Sequence, residues 1–166
     1  NNAATVTGSP VTQDVYGATS VKGATTANTA QVAGSEVSGN VYGTYSDSGV
    51  AIDNTTTISD STVNGDVAGA YSKSGTVSNG NNATVTNTKV SGNVYGGKSD
   101  SGEVNLSTAS IEGGTVSGNV IRTAEERRLS RENSGSLWVR YTSKSSFVME
   151  QENTVFSTTG IAKTAD

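Results

Sequence analysis

The chain has 166 residues, of which 32% are hydrophobic and only 16% charged, with 20 glycines, a net charge of −4, and neither cysteine nor histidine. Without thiolate or imidazole these residues hold no Cys nucleophile, no Ser-His-Asp triad and no zinc site of the usual kind. The acidic balance argues against nucleic acid or an anionic membrane as partner, since both are bound through basic patches.

Residues 1–10, NNAATVTGSP, hold Val6 and the single proline and read as the end of a preceding repeat. No signal-peptide pattern follows Asn1, so the chain reads as a piece of something longer. From Val11 a segment recurs: VTQDVYGATS at 11, VSGNVYGTYS at 37, VNGDVAGAYS at 63, VSGNVYGGKS at 90 and VSGNVI at 116, at steps of 26 or 27 residues. A period of this length without helical patterning predicts a solenoid, in which each unit buries its apolar face only against its neighbours.

Three apolar columns follow from the register. They are Val6, Val32, Ile58, Val85, Ile111; then Val11, Val37, Val63, Val90, Val116; then Val15, Val41, Val67, Val94, Val120. Parallel strands stack equivalent residues about 4.8 Å apart, so each set predicts an inward ladder. Between the second and third columns lie Gly39-Asn40, Gly65-Asp66, Gly92-Asn93 and Gly118-Asn119, residue types that tolerate positive φ and predict a corner of that kind. A second glycine follows the third column (Gly17, Gly43, Gly69, Gly96) and a third closes a Ser-x-x-Gly turn (Gly23, Gly49, Gly75, Gly102). Three short β runs per repeat predict an all-β, single-stranded parallel β-helix of about five 26-residue rungs. A propeller blade would need a longer repeat. The one extra residue falls within Ser78 to Asn82, as expected of a loop, and Asp47, Lys73 and Asp100 share a repeat position that would alternate charge between rungs.

The repeat ends at Arg122. Residues 122–132, RTAEERRLSRE, predict a short charged helix, and the segments around Trp138, Phe147 and Phe156 predict strands. The domain reading is therefore a β-helix over 1–121 and, over 122–166, a charged helix with hairpin-like strands that caps the solenoid or starts a truncated barrel. No apolar run is long enough for a membrane-spanning helix.

The repeat V-x-G-(N/D)-V-Y-G-x-x-S, followed by a charged segment and Gly135-Ser136-Leu137-Trp138-Val139-Arg140-Tyr141, resembles the C-terminal part of the β-helical passenger of bacterial autotransporters, the type V secretion proteins, with the start of their translocator barrel. The resemblance implies a protein displayed at the bacterial surface or secreted, outer-membrane associated when full length, that acts as a non-catalytic structural or adhesive stalk. About two barrel strands fall within this chain, too few to close a barrel.

The tyrosines are the candidate binding face: Tyr16, Tyr42 and Tyr95 in one column, set outward because the adjacent valines point inward, and Tyr45 and Tyr71 in another. The same positions are also where rungs would pack on one another. A glycan or protein at a host or cell surface is the expected partner, with end-to-end self-association as a further possibility. No catalytic residue, metal site or cofactor is expected. The competing reading is a carbohydrate-active enzyme using Asp14 with Asp66, or Asp47 with Asp100, two rungs and roughly 9.6 Å apart on one column. The calcium-binding nonapeptide of other solenoids is absent.

Overall fold

Val6, Val32, Ile58, Val85 and Ile111 are partners in consecutive parallel strands, and so are Val15, Val41, Val67, Val94 and Val120. The middle column behaves alike, from the bridge between Val11 and Val37 to the pair Val90 and Val116. In this computed structural model, which describes residues 1–125, the chain winds as a parallel β-solenoid of about five rungs. Each repeat crosses three sheets. The first contains Ala3–Thr7, Thr29–Ala33 and Thr55–Ser59, then the long strands Asn82–Val90 and Thr108–Val116, with Glu36–Val37 and Thr62–Val63 completing the shorter rungs. The second runs from Val15–Tyr16 through Val41–Tyr42, Val67–Ser72 and Val94–Ser99 to Val120–Glu125, and also takes in Thr19–Ser20 and Tyr45–Ser46. The third is narrow: Thr25–Thr26, Ala51–Ile52 and Val77–Ser78.

Stacking supplies what no single rung contains. Val32, Val37, Val41, Val63, Val67, Val85, Val90 and Val94 are buried completely, each worth roughly 1.5–3 kcal/mol relative to exposure. A smaller cluster under the third sheet joins Ala51, Ala70, Val77 and Val104. The two are separated by a waist at the second glycine column. A Cβ on Gly43 would lie 2.6 Å from the Thr55 carbonyl oxygen, and one on Gly69 would lie 2.5 Å from the Asn82 nitrogen, so opposite walls touch there through backbone alone. Thr56 donates across the interior to the Ala68 carbonyl at 2.6 Å.

The Gly-Asx pairs do turn the chain from the first sheet to the second, but without positive φ. Their glycines serve a close approach instead. A Cβ on Gly65 would stand 2.5 Å from Asn40 Oδ1 and 2.6 Å from the Gly39 carbonyl, and Gly92 and Gly118 are hemmed in likewise by Asp66 and Asn93. Positive φ is found at two other corners: Gly8, Gly34, Asp60, Asn87, Gly113 and Gly114 in the bend of the first sheet, and Ala27, Asp53, Asn79, Gly80 and Leu106 between the third sheet and the first. The extra residue of the 27-residue repeat sits in this second corner. Ile52 pairs with Ser78 and Thr55 with Asn82, so two residues on one rung face three on the next and both registers survive.

Side chains line the corners as ladders. Ser61 Oγ accepts from Ser35 N–H at 3.1 Å and donates to the Ser59 carbonyl at 2.6 Å, and Ser35 and Thr88 repeat the pattern. In the Ser-x-x-Gly turns, Ser46, Ser72 and Ser99 accept from Gly49, Gly75 and Gly102 at 2.8–2.9 Å.

The helix expected over 122–132 is not formed at its start. Val120–Glu125 is a strand in which Thr123, Ala124 and Glu125 pair with Gly97, Lys98 and Ser99. A ready template of unpaired strand backbone outweighs i,i+4 ion pairs worth only a few tenths of a kcal/mol. The rest of that segment and the expected C-terminal strands lie outside the described residues.

Candidate functional site

The outer surface of the second sheet carries two adjacent columns. In rung order one is Tyr16, Tyr42, Ala68, Tyr95 and Ile121; the other is Thr19, Tyr45, Tyr71 and Lys98. Valines at 15, 41, 67, 94 and 120 turn inward, so the residues after them must lie outside. Yet outside does not mean open. Tyr42 is only 6% exposed, with the Tyr16 and Tyr71 rings from neighbouring rungs against it, and Tyr95, under Lys98, is 9% exposed, whereas Tyr16, Tyr45 and Tyr71 are half-buried.

Four of the five tyrosines of the predicted face, Tyr16, Tyr42, Tyr45 and Tyr71, meet as one array in place of two separate stripes, and Tyr95 is joined to it through Lys98. Ring centroids are 5.8 Å apart for Tyr16–Tyr42, 5.7 Å for Tyr16–Tyr45, 5.5 Å for Tyr42–Tyr71 and 5.4 Å for Tyr45–Tyr71, with tilts from 45° to 72°. These are the tilted and edge-to-face geometries that aromatic quadrupoles favour. Lys98 Nζ lies 5.0 Å from the Tyr71 centroid and 5.2 Å from that of Tyr95, bridging the two across the gap left by Ala68.

Carboxylates hold the ring tips. Tyr16 donates to Asp14, Tyr45 to Asp47 at 2.9 Å and Tyr71 to Asp100 at 2.6 Å. Two of these pairs are two residues apart in sequence. The third differs because Lys73 stands two residues after Tyr71, so Tyr71 reaches the next rung for its acceptor. Lys73 itself meets Asp47 at 3.3 Å, joining two members of the predicted charge column. The Tyr45 hydroxyl and the Lys73 ammonium hold Asp47 below the usual carboxylate range, and Tyr45 with Asp47 raises Lys73. Burial, then Asp14, pushes Tyr16 well above the ordinary tyrosine value; burial, then Asp66 and Asp14, does the same for Tyr42. Both rings stay neutral at any physiological pH, as donors and stacking surfaces.

The aspartates weighed as an acid–base pair have structural partners. Asp14 Oδ1 accepts from the backbone and side-chain N–H groups of Asn40 at 2.6 and 3.0 Å, and Asp66 Oδ1 accepts the same two bonds from Asn93 at 2.7 and 3.1 Å. Asn40 and Asn93 in turn take the backbone N–H of Asp66 and Asn119. Asp47 and Asp100 anchor tyrosines, as above.

Sequence reasoning missed a second ladder. Asn28, Asn54 and Asn81 are 3%, 0% and 0% exposed; Asn28 Nδ2 donates to Asn54 Oδ1 at 2.9 Å and Asn54 Nδ2 to Asn81 Oδ1 at 3.0 Å. Its signal was the recurrence of Asn at 2, 28, 54 and 81, in step with the valines. Also missed was a shallow groove of about 730 Å³ along the bend of the first sheet, floored by Ser35, Ser61 and Thr88 and rimmed by Glu36, Asp60 and Lys89, with no aromatic lining.

Comparison with protein-family models, curated proteins and solved structures finds no match for this chain.

Proposed function

We propose that the chain is part of a non-catalytic, surface-displayed adhesive solenoid, the C-terminal portion of an autotransporter-type passenger whose tyrosine face makes the contact. The observation that carries this reading is the tyrosine array itself: four rings from three rungs meet on one sheet face, Tyr95 on the next rung joins them through Lys98, and Tyr16, Tyr45 and Tyr71 remain partly exposed with their hydroxyls fixed. Rigid amphipathic rings bind with little loss of rotamer entropy, which is why tyrosine dominates adaptable contact surfaces. The scaffold beneath supports the same reading. Its ladders use the repeat's polar groups for stacking, and Asp14 and Asp66, one of the two pairs weighed for an enzyme, each accept from the Asn of the next rung.

The test is display of the full chain on a bacterial host by fusion to a translocator barrel. Cells carrying it are expected to adhere to polystyrene and to cultured epithelial cells more than cells carrying the barrel alone. The triple variant Tyr16→Ser, Tyr45→Ser, Tyr71→Ser is expected to lose that gain at equal surface density. Equal adherence of the variant would overturn the reading.

A further inference from the structure

We infer that the tyrosine face takes a neutral glycan chain laid along the solenoid axis, one sugar unit to each of the partly exposed rings Tyr16, Tyr45 and Tyr71. This rests on the adhesive reading of that face. The three rings form a continuous path across three rungs, from Tyr16 to Tyr45 at 5.7 Å and from Tyr45 to Tyr71 at 5.4 Å. Those steps are close to the length of one pyranose unit in an extended chain. A ligand that repeats about once per rung meets a tyrosine ring at each unit, which a folded protein surface does not do.

Each ring comes with a polar partner placed for hydroxyl groups. Asp14, Asp47 and Asp100 each accept one tyrosine proton and keep further lone pairs for sugar hydroxyls, while Lys73 and Lys98 stand beside the rings as donors. Ring above and carboxylate at the tip give one apolar and one hydrogen-bonding contact per unit, the combination a pyranose offers through its C–H face and its hydroxyl rim.

Charge selects among glycans. Four carboxylates, Asp14, Asp47, Asp66 and Asp100, against the two ammonium groups of Lys73 and Lys98 leave the face at −2, which disfavours uronic or sulfated chains. An extended peptide fits less well, because strand addition needs an open sheet edge and here the backbone is engaged between rungs. Geometry selects further. Tyr16 and Tyr45 are inclined by 51°, and Tyr45 and Tyr71 by 71°, so a chain that rotates from unit to unit fits where a flat ribbon does not.

The experiment is calorimetric titration of the full chain with laminarihexaose and mannohexaose, with polygalacturonate as the anionic comparator. Saturable binding of at least one neutral oligosaccharide, and none of polygalacturonate, is expected. Tyr45→Ala and Tyr71→Ala should each weaken it at least about tenfold, the equivalent of about 1.4 kcal/mol. Tyr45→Phe keeps the ring and should weaken binding only about threefold, the effect of one hydrogen bond, which separates loss of contact from loss of fold. Glu36→Gln, in the groove of the first sheet, should bind as the parent does. The inference is overturned if neither neutral oligosaccharide binds, if polygalacturonate binds more tightly, if the alanine variants bind like the parent, or if Glu36→Gln weakens binding as much as they do. Tyrosine-dependent adherence of displaying cells that neither oligosaccharide competes away would overturn the glycan while leaving the adhesive reading standing.

Discussion

Two asparagine-bearing ladders cross successive rungs of the solenoid, and they differ in access to solvent and in the residues they admit. The ladder at 28, 54 and 81 is dry and purely amide, whereas the one at 14, 40, 66, 93 and 119 is half-buried and alternates Asp with Asn over its first four rungs. In the dry ladder each amide nitrogen must find a carbonyl: Asn54 donates to Asn81 and to the Thr25 carbonyl, and Asn81 to the carbonyls of Ala51 and Ser78. A carboxylate at 54 has no proton to give, and the oxygen in place of Nδ2 would face both the Asn81 Oδ1 and the Thr25 carbonyl oxygen. In the half-buried ladder Asp14 and Asp66 are partly exposed, Asp14 Oδ2 accepts the Tyr16 hydroxyl, and an Asn above each Asp supplies two donors to its Oδ1. Charge is thus tolerated or excluded by access to solvent, not by the repeat position as such.

Exchanging the two chemistries is the sharpest way to break this contrast. Asn54→Asp puts an unpaired charge in the dry ladder and is expected to cost about 3–5 kcal/mol in urea unfolding. A loss under about 1 kcal/mol would show that water already enters there. Gly65→Ala asks whether the half-buried ladder depends on close approach: the new methyl meets Asn40 Oδ1 and the Gly39 carbonyl, and a loss of about 1–3 kcal/mol is expected in the same assay. Leu106→Asn probes the corner that precedes the dry ladder. Leu106 is 71% exposed at φ 48°, beside the Ser107 that ends the amide series, and replacing it by a residue at ease in the left-handed region should raise stability by about 0.5–1 kcal/mol. Asp66→Asn, the reverse exchange, should change stability by less than about 0.5 kcal/mol, since an amide oxygen accepts the same two bonds. Thermal melts of Asp66→Asn and Asn54→Asp side by side give the comparison in a single measurement.

Much of the architecture was legible because the valine columns are self-evident once the period is found. Val6, Val11 and Val15 and their successors occupy the paired positions the register requires. The corners were read less well. Gly39, Gly65 and Gly92 suggest positive φ from composition alone, but their requirement is space for a neighbouring side-chain oxygen, and that becomes visible only when rungs are stacked. Ala27 and Leu106 adopt positive φ without the residue types that announce it. The helix over 122–132 was inferred from local charge spacing, which carries no information about the open strand edge beside it. For the candidate site, sequence placed the five tyrosines on one face but not their order of burial. That Tyr42 and Tyr95 lie beneath while Tyr16, Tyr45 and Tyr71 remain accessible depends on diagonal contacts between rungs, and Lys98 fills a gap created by Ala68 one rung away.

The three residues Asn79, Gly80 and Asn81 occupy a bend where the preceding rung uses two, and the sheets on either side continue without a slip. Length at this bend is therefore decoupled from pairing. Longer excursions could be spliced in there one at a time, turning a uniform rod into a carrier of protruding modules while the rod itself stays unchanged.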